Sequence, residues 1–292
     1  MPAACLPGSG SRALVAALLV LVPTSLVAQS VTRNHLHDKF QVTAGLAGVG
    51  FSGTIRVDPS GGGDGTEVDP ESELGLSKWK AQPRLGLRWN LSRSHELEFQ
   101  YQFARRNGEQ QITGEIEFED EVYEAGLLVR TSFDSDVANL TWRWAFHSSE
   151  KSKIGATLFV GGLLLDLKLD GYATVSSGGQ AGELEASAAK SFTAPIGGVG
   201  AFGRWRLSDR WYLDADLRGL YVPIDRFEAR VFDAGAAVRF FPIERLGVEF
   251  GYALNSVRVD VNPDPEAQLT GDFSGLFKYA LHIPRLGLVY SF

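Results

Sequence analysis

The chain has 292 residues, of which 44% are hydrophobic and 22% are charged, and its formal net charge is −7 at pH 7. This balance excludes a disordered tail and a helical membrane protein, and the negative charge argues against nucleic acid as a partner. The single cysteine, Cys5, precedes an apolar N-terminal run, so the mature protein is expected to have no disulfide and no thiolate metal site.

The N-terminus has the three parts of a secretory signal peptide. Arg12 supplies a positive charge, residues 13–22 form a continuous apolar run, and residues 23–28 offer a cleavage region. The run is too short to cross a membrane, and no run of about 18 apolar residues follows it. We predict a signal peptide over residues 1–28, a short periplasmic segment over residues 29–39 and one domain over residues 40–292.

The rest of the chain is predicted to be all-β, because apolar residues recur with a period of two. From Trp79 to Leu91 the odd positions are mostly apolar and the even positions are mostly polar, and Leu97 to Phe103 repeats this pattern after a polar turn. Similar alternation continues to Phe292. The strand over residues 154–169 is apolar at both parities, so its faces are not assigned.

The connections between these strands alternate in length. Short turns at residues 92–94, 147–153, 208–210 and 242–245 alternate with mostly longer connections, including residues 58–77, 107–125, 171–190 and 260–275. Transmembrane barrels have short periplasmic turns and longer outer loops, whereas soluble sandwiches have no such asymmetry. With both chain ends in the periplasm, four short turns predict a transmembrane antiparallel up-and-down β-barrel of ten strands. Eight and twelve strands are the alternatives.

Aromatic residues lie beside the short turns, where an interfacial girdle is expected. They are Trp89, Trp142, Trp144, Trp205, Trp211, Phe240 and Phe241. The chain ends with Leu288, Tyr290 and Phe292 at alternate positions. This ending resembles the last strand of Gram-negative outer membrane β-barrel proteins of the porin-like and OmpA-like superfamily.

The resemblance implies a location in the cell outer membrane, with lipid and lipopolysaccharide as partners. It also implies that the barrel assembly machinery reads the C-terminal strand during biogenesis. A second block, over residues 66–76, is similar to one in uncharacterised exported barrel proteins and implies no function.

Charges of both signs lie on the strand faces opposite the apolar ones. Since a carboxylate in a narrow interior is costly unless it is paired, we interpret these residues as a salt-bridge network that fills the lumen. A narrow polar channel is the functional alternative. The residues predicted to form the network are Arg84, Arg88, Glu96, Glu98, Arg204, Arg206, Asp214, Asp216, Arg218, Arg239, Glu249 and Arg285.

The predicted outer loops are rich in carboxylates. Glu67, Asp69, Glu71 and Glu73 occupy alternate positions and are candidates for binding Ca²⁺ or Mg²⁺, although they lack the spacing of an EF-hand. A solvated run of charge is the simpler interpretation. These loops are also expected to meet lipopolysaccharide phosphates through bridging divalent cations.

The sequence contains no pattern that predicts catalysis or a cofactor. Only His282 lies within a predicted strand, and no histidine lies in an outer loop where a Ser/His or Asp/His pair would meet a substrate. The sequence therefore predicts a structural barrel or a narrow small-solute channel. The alternative is a surface binding or adhesion protein that acts through its acidic loops, and an outer membrane hydrolase is the third interpretation.

Overall fold

Ten antiparallel strands close a barrel in the computed structural model, as the alternation predicted. The structure describes residues 33–58, 64–118, 121–174, 181–224, 227–261 and 275–292, so the predicted signal peptide lies outside the described residues. The strands are β1 (Phe40–Val57), β2 (Trp79–Asn90), β3 (His95–Gln111), β4 (Ile116–Phe118), β5 (Glu121–Tyr123), β6 (Leu128–Ser148), β7 (Ser152–Thr174), β8 (Ala181–Arg206), β9 (Trp211–Ile224), β10 (Phe227–Phe240), β11 (Leu246–Val261) and β12 (Gly275–Ser291).

Strands β4 and β5 pair only with each other, and the other ten form the barrel, which closes where β12 pairs with β1. In the described part of the chain, no helix is long and apolar enough to span a membrane.

The outer surface of the barrel is apolar in the half next to the short turns. Leu85 and Leu87 of β2 and Leu286 and Leu288 of β12 are between 42% and 56% exposed. Soluble proteins rarely expose a continuous apolar surface of this kind, whereas a barrel in lipid requires one. In this half the charged residues of the strands point into the lumen, because side chains alternate between the two faces. Farther from the short turns the faces of β7 are reversed, since its leucines are buried inside and the side chain of Lys168 is exposed.

The predicted aromatic girdle is largely present at the end with the short turns. Trp89, Trp142, Trp144 and Trp211 are each at least 39% exposed on the outer surface. Phe241 was wrongly assigned to this girdle, since it is 3% exposed. It lies just beyond β10, on the inward side, where it packs in an apolar cluster with Leu36, Tyr212 and Val289.

The glycine- and serine-rich stretch over residues 171–190 is not the loop that its composition predicted. Most of its described residues belong to β7 and β8, which form a long hairpin. Leu167 and Leu169 of β7 and Ala186 and Ala188 of β8 are buried in the barrel's apolar core. Pairing and burial therefore outweigh the low strand propensity of small residues.

A proline within a strand is usually found at a bulge or on a strand edge, and Pro284 in β12 lies at neither. Pairing between β1 and β12 lapses for two positions at Pro284 and then resumes in the same register. The ladder to β11 continues through this proline.

Candidate binding chamber inside the barrel

The periplasmic half of the lumen contains a dense salt-bridge network. Arg143 lies 3.0 Å from a carboxylate oxygen of Glu96 and 2.7 Å from one of Glu98. Arg204 donates to Glu96 at 2.7 Å, and Arg88 donates to Glu98 at 3.1 Å. All five side chains are less than 10% exposed. Each buried carboxylate is therefore surrounded by guanidinium groups, which offsets the cost of removing it from water.

A second group in this network surrounds Glu249. Arg84 and Arg239 donate to opposite oxygens of its carboxylate, each at 2.8 Å. Arg239 also lies 3.0 Å from Asp214, which joins the two groups. Arg285 is more weakly paired, since its Nε lies 3.5 Å from Glu249 and has no hydrogen-bond partner among the described residues.

Ten of the twelve residues predicted for the network belong to these connected groups. Arg218 instead pairs with Asp233 at 2.9 Å, and Arg206 pairs with Asp209 in a periplasmic turn at 2.8 Å. The prediction omitted Arg143, which contacts Glu96, Glu98 and Asp216. The alternation of the strand could have identified it, because Arg143 lies between two outward-facing tryptophans and must therefore point inward.

The segment over residues 33–39 packs against the periplasmic end of the barrel. Asp38 accepts hydrogen bonds from Arg33 at 2.7 Å and from Ser291 in the last strand, and it contacts His35 at 2.5 Å. The ring of His35 stacks on Phe241 at a centroid distance of 3.7 Å. Burial alone would raise the pKa of Asp38, but hydrogen bonds from His35, Ser291 and Arg33 outweigh it and lower the pKa.

The outer half of the lumen is apolar and is covered by chain that follows β1. Val68, Leu74 and Leu76 join the barrel's apolar core. Between them Glu71 reaches a buried Arg106, with 2.6 Å between Glu71 Oε1 and Arg106 Nη1. The Tyr279 hydroxyl donates to Glu71 at 3.2 Å and accepts from Arg106 at 3.1 Å.

The four carboxylates proposed as metal ligands do not converge. Glu71 is paired inside the barrel, while Asp69 accepts hydrogen bonds from the backbone of Glu71 and Ser72 at 2.9 Å each. Glu73 accepts from the backbone of Asp69, also at 2.9 Å, and Glu67 is exposed. Among the described residues, no group of three or more His, Cys, Asp or Glu side chains is arranged to hold a metal ion.

A cavity of about 170 Å³ lies between the apolar core and the salt-bridge network. Its polar lining includes Arg84, Arg218, Asp233, Asn139 and Arg285. Its apolar lining includes Val49, Phe51, Phe133, Phe159, Leu163, Phe277 and Ile283. We call this cavity the chamber. One part of its wall is hydrocarbon and aromatic, and the other part is charged.

The charged lining has an excess of positive groups. Six arginines line the chamber against four carboxylates, which are Glu98, Asp214, Asp216 and Asp233. Two polar atoms of lining residues, Arg285 Nε and Asn139 Oδ1, are buried without a hydrogen-bond partner in the described part of the chain. Buried polar groups are normally paired, so these two atoms are exceptions among the residues that line the chamber.

A solved structure with a similar architecture is that of a bacterial outer membrane protein. The outer membrane protease OmpT from Escherichia coli shares 13% identity, with coverage of 88% of this chain and 97% of that chain and a TM-score of 0.56. This chain has the fold of an outer membrane β-barrel.

Other matches to outer membrane barrels are more distant. The attachment invasion locus protein Ail of Yersinia pestis shares 12% identity, covering 88% of this chain and 99% of that one, with a TM-score of 0.35. The transport unit of the autotransporter AIDA-I from Escherichia coli shares 9% identity, covering 94% of each chain, with a TM-score of 0.43. No family model and no curated protein matches the chain.

The outer surface of this outer membrane β-barrel contains the other residues singled out in the sequence. Leu288, Tyr290 and Phe292 are between 39% and 57% exposed, as expected for a lipid-facing C-terminal strand. His282 is also exposed on the outer surface, and its Nδ1 lies 2.7 Å from the Tyr252 hydroxyl. Both side chains therefore lie on the opposite side of the barrel wall from the chamber.

Proposed function

We propose that this outer membrane β-barrel binds a small amphipathic molecule with an apolar body and an acidic group. The observation that carries the proposal is the two-sided chamber, in which aromatic and aliphatic side chains face an arginine-rich surface. Ligand sites in proteins commonly combine an apolar lining with a few polar groups that fix orientation.

The size of the chamber limits the class of ligand. A cavity of about 170 Å³ is close to the roughly 150 Å³ apolar cavity that accommodates benzene in an engineered protein. A single aromatic ring or a short alkyl chain with one carboxylate fits this volume. Long acyl chains and sugars exceed it.

The charge of the lining favours an anion over a cation. Arg285 is the arginine best suited to receive a carboxylate, because it lines the chamber and its Nε has no hydrogen-bond partner among the described residues. Its neighbours Arg84 and Arg239 already donate to Glu249. A guest carboxylate would thus pair with a cation that is incompletely neutralised.

The arrangement of the lumen supports binding in preference to passage. The salt-bridge network and the apolar cluster of Leu36, Tyr212, Phe241 and Val289 lie on the periplasmic side of the chamber. A solute crossing the barrel would have to displace buried ion pairs, which is costly. The proposal assigns no catalytic residue.

Isothermal titration of benzoate into the refolded mature protein tests this function. We expect saturable binding of benzoate and much weaker binding of benzylammonium, which has a similar ring and the opposite charge. Arg285→Leu should weaken benzoate binding by roughly ten- to a hundredfold, since a hydrogen bond to a charged group contributes roughly 1.5–3 kcal/mol. Arg210→Gln, in an exposed periplasmic turn, is the matched control.

Benzoate must also be titrated into detergent micelles without protein, because the ring partitions into detergent. Equal affinity for benzoate and benzylammonium would contradict the assignment of an acidic ligand. Absence of saturable benzoate binding by the folded protein would contradict the binding function itself.

A further inference from the structure

The ladder between β8 and β9 ends before either strand does. Their pairing extends from Arg206 and Tyr212, near the periplasmic turn, to Val199 and Gly219. Beyond this point β8 continues to pair with β7, and β9 continues to pair with β10 to Ile224. Over residues 194–198 and 220–224, which the structure describes, the two strands are neighbours without a ladder between them. We call this stretch the β8–β9 seam.

Two prolines lie beyond this end of the ladder and keep pairing from resuming there. If the register of Val199 and Gly219 continued for four more positions, Pro195 would lie directly opposite Pro223. Proline has no N–H and cannot donate to a ladder. Pro195 still pairs with β7, and Pro223 still pairs with β10. The N–H groups that these prolines lack are therefore the ones that would have formed hydrogen bonds between β8 and β9.

The proline in the last strand has a smaller effect. Pairing between β1 and β12 lapses at Pro284 but resumes in the same register on its far side. Between β8 and β9 the two prolines face each other and pairing does not resume. Each of the two strands therefore contributes a proline that keeps the ladder from resuming.

In the described barrel one other ladder, between β2 and β3, ends before its strands do. There the free edge of β3 is covered by the segment that follows β1. Pairing between β2 and β3 ends at Arg84 and Gln102, although β3 continues to Gln111. There the chain after β1 lies against β3, because Gln110 donates to the backbone oxygen of Ser72 at 2.9 Å. Gly75 packs so closely on Gly108 that a methyl group on Gly108 would clash with its backbone.

The β8–β9 seam adjoins both the chamber and the membrane. Ile196, between Pro195 and Gly197, lines the chamber, whereas Val199 and Tyr221 are 64% and 55% exposed on the outer surface. Gly219 lies eight residues from Trp211 of the periplasmic girdle. At about 3.3 Å per residue and a tilt of about 40°, the seam begins roughly 20 Å above that girdle. The apolar band of such barrels is about 25 Å tall, so the seam starts within its outer part.

We infer that the chamber is reached laterally from the outer leaflet, through the β8–β9 seam. The inference rests on the proposed binding function and narrows its ligand to acidic molecules that partition into lipid, such as aromatic or short-chain carboxylic acids. In its protonated form such an acid enters the bilayer, passes between the unpaired strand edges and reaches the arginine-rich lining. The proton returns to water or to a lumen carboxylate when the anion pairs with Arg285.

The route can be tested without a ligand, because the mature chain has no cysteine once the leader with Cys5 is removed. Ile196→Cys places one thiol in the chamber lining beside the seam. The refolded variant in phosphatidylcholine vesicles is treated with N-phenylmaleimide, a small lipid-soluble reagent, and labelling is followed by mass spectrometry. The comparison is the same variant with Pro195→Val and Pro223→Val, which restore both ladder donors.

We expect the two valines to slow labelling of the chamber thiol about tenfold. Pro242→Val in the Ile196→Cys background is the control, since Pro242 is exposed in a short turn away from the seam and from the chamber lining, and it should leave the rate unchanged. Heat-modifiable migration in gels verifies that each variant is folded. Equal rates with and without the two valines would overturn the lateral route.

The same variants separate this inference from the proposed function. If the route is right, Pro195→Val and Pro223→Val in a protein that keeps Ile196 slow benzoate association about tenfold and leave the equilibrium dissociation constant unchanged, because neither proline lines the chamber. Absence of benzoate binding by the unmodified protein would contradict the binding function, while the labelling rates would still decide the route.

Discussion

Arg106 and Glu71 show how one buried ion pair fixes a long connection to the barrel. Both side chains are at most 2% exposed, and 2.6 Å separates their charged atoms. The guanidinium of Arg106 also lies 3.7 Å from the ring centroid of Phe51. The pair therefore holds the chain after β1 against the apolar core above the chamber.

Removing one member of this pair should destabilise the protein more than removing both. Arg106→Leu leaves the Glu71 carboxylate buried without its cation, which typically costs about 3–5 kcal/mol, whereas two apolar replacements avoid that penalty. Urea unfolding of the refolded barrel in lipid measures the difference between Arg106→Leu and Arg106→Leu/Glu71→Leu. Arg130→Leu, from an exposed pair with Glu109, is the control and should change stability little. Equal loss in the single and double variants would contradict a charge-paired contact.

At the scale of the element, the segment over residues 33–39 joins the first strand to the last. Asp38 accepts hydrogen bonds from Arg33 and from Ser291 of β12, and Arg33 also donates to the backbone oxygen of Phe292. These contacts hold the segment before β1 and the last residues of β12 at the periplasmic mouth, beside the apolar cluster that contains Leu36.

The stabilisation supplied by Asp38 should depend on pH. Its pKa is lowered in the folded protein, so the stabilisation is present above the unfolded value of about 4 and is lost as pH falls through the folded value. Asp38→Asn should cost roughly 1.5–3 kcal/mol at pH 7 and reduce the loss of stability between pH 5 and pH 2. Thermal unfolding across this range, with the exposed Asp209→Asn as control, measures both effects. An unchanged pH profile in Asp38→Asn would contradict this role.

The strands were predictable because lipid and lumen impose opposite requirements on alternate residues. That constraint assigned Arg84, Arg88, Glu96 and Glu98 to the interior, and the structure confirms their inward faces. The β7–β8 hairpin was missed over residues 171–190, because small residues carry little signal and their burial depends on pairing with distant leucines.

Contacts inside the barrel were harder to predict from the sequence than the strands that form its wall. Burial of Glu71 depends on Arg106 and on Tyr279, which lies more than 200 residues away in sequence, and nothing local distinguishes Glu71 from its exposed neighbours. The chamber arises where side chains from many strands leave space, so no single strand encodes it. The two prolines of the β8–β9 seam were visible in the sequence, but their opposition required the register.

At the scale of the molecule, the barrel combines three layers in one lumen. Folded connections and apolar side chains occupy its outer part, the chamber lies beneath them, and ion pairs with the N-terminal segment occupy the periplasmic part. The salt-bridge network that the sequence suggested as a plug or a channel is tightly paired, with several N–O distances below 3.0 Å. This arrangement suits a closed receptacle for a small molecule better than a conduit.

Single-channel recording of the refolded mature protein in a planar bilayer shows whether the lumen is closed. We expect no steady conductance when insertion has been verified, because the network and the apolar cluster around Leu36 and Phe241 block the periplasmic mouth. An Arg84→Ala/Arg88→Ala variant provides the comparison. Steady, ion-selective steps in the unmodified protein whose size changes in this variant would contradict the account and show that the charged lumen conducts.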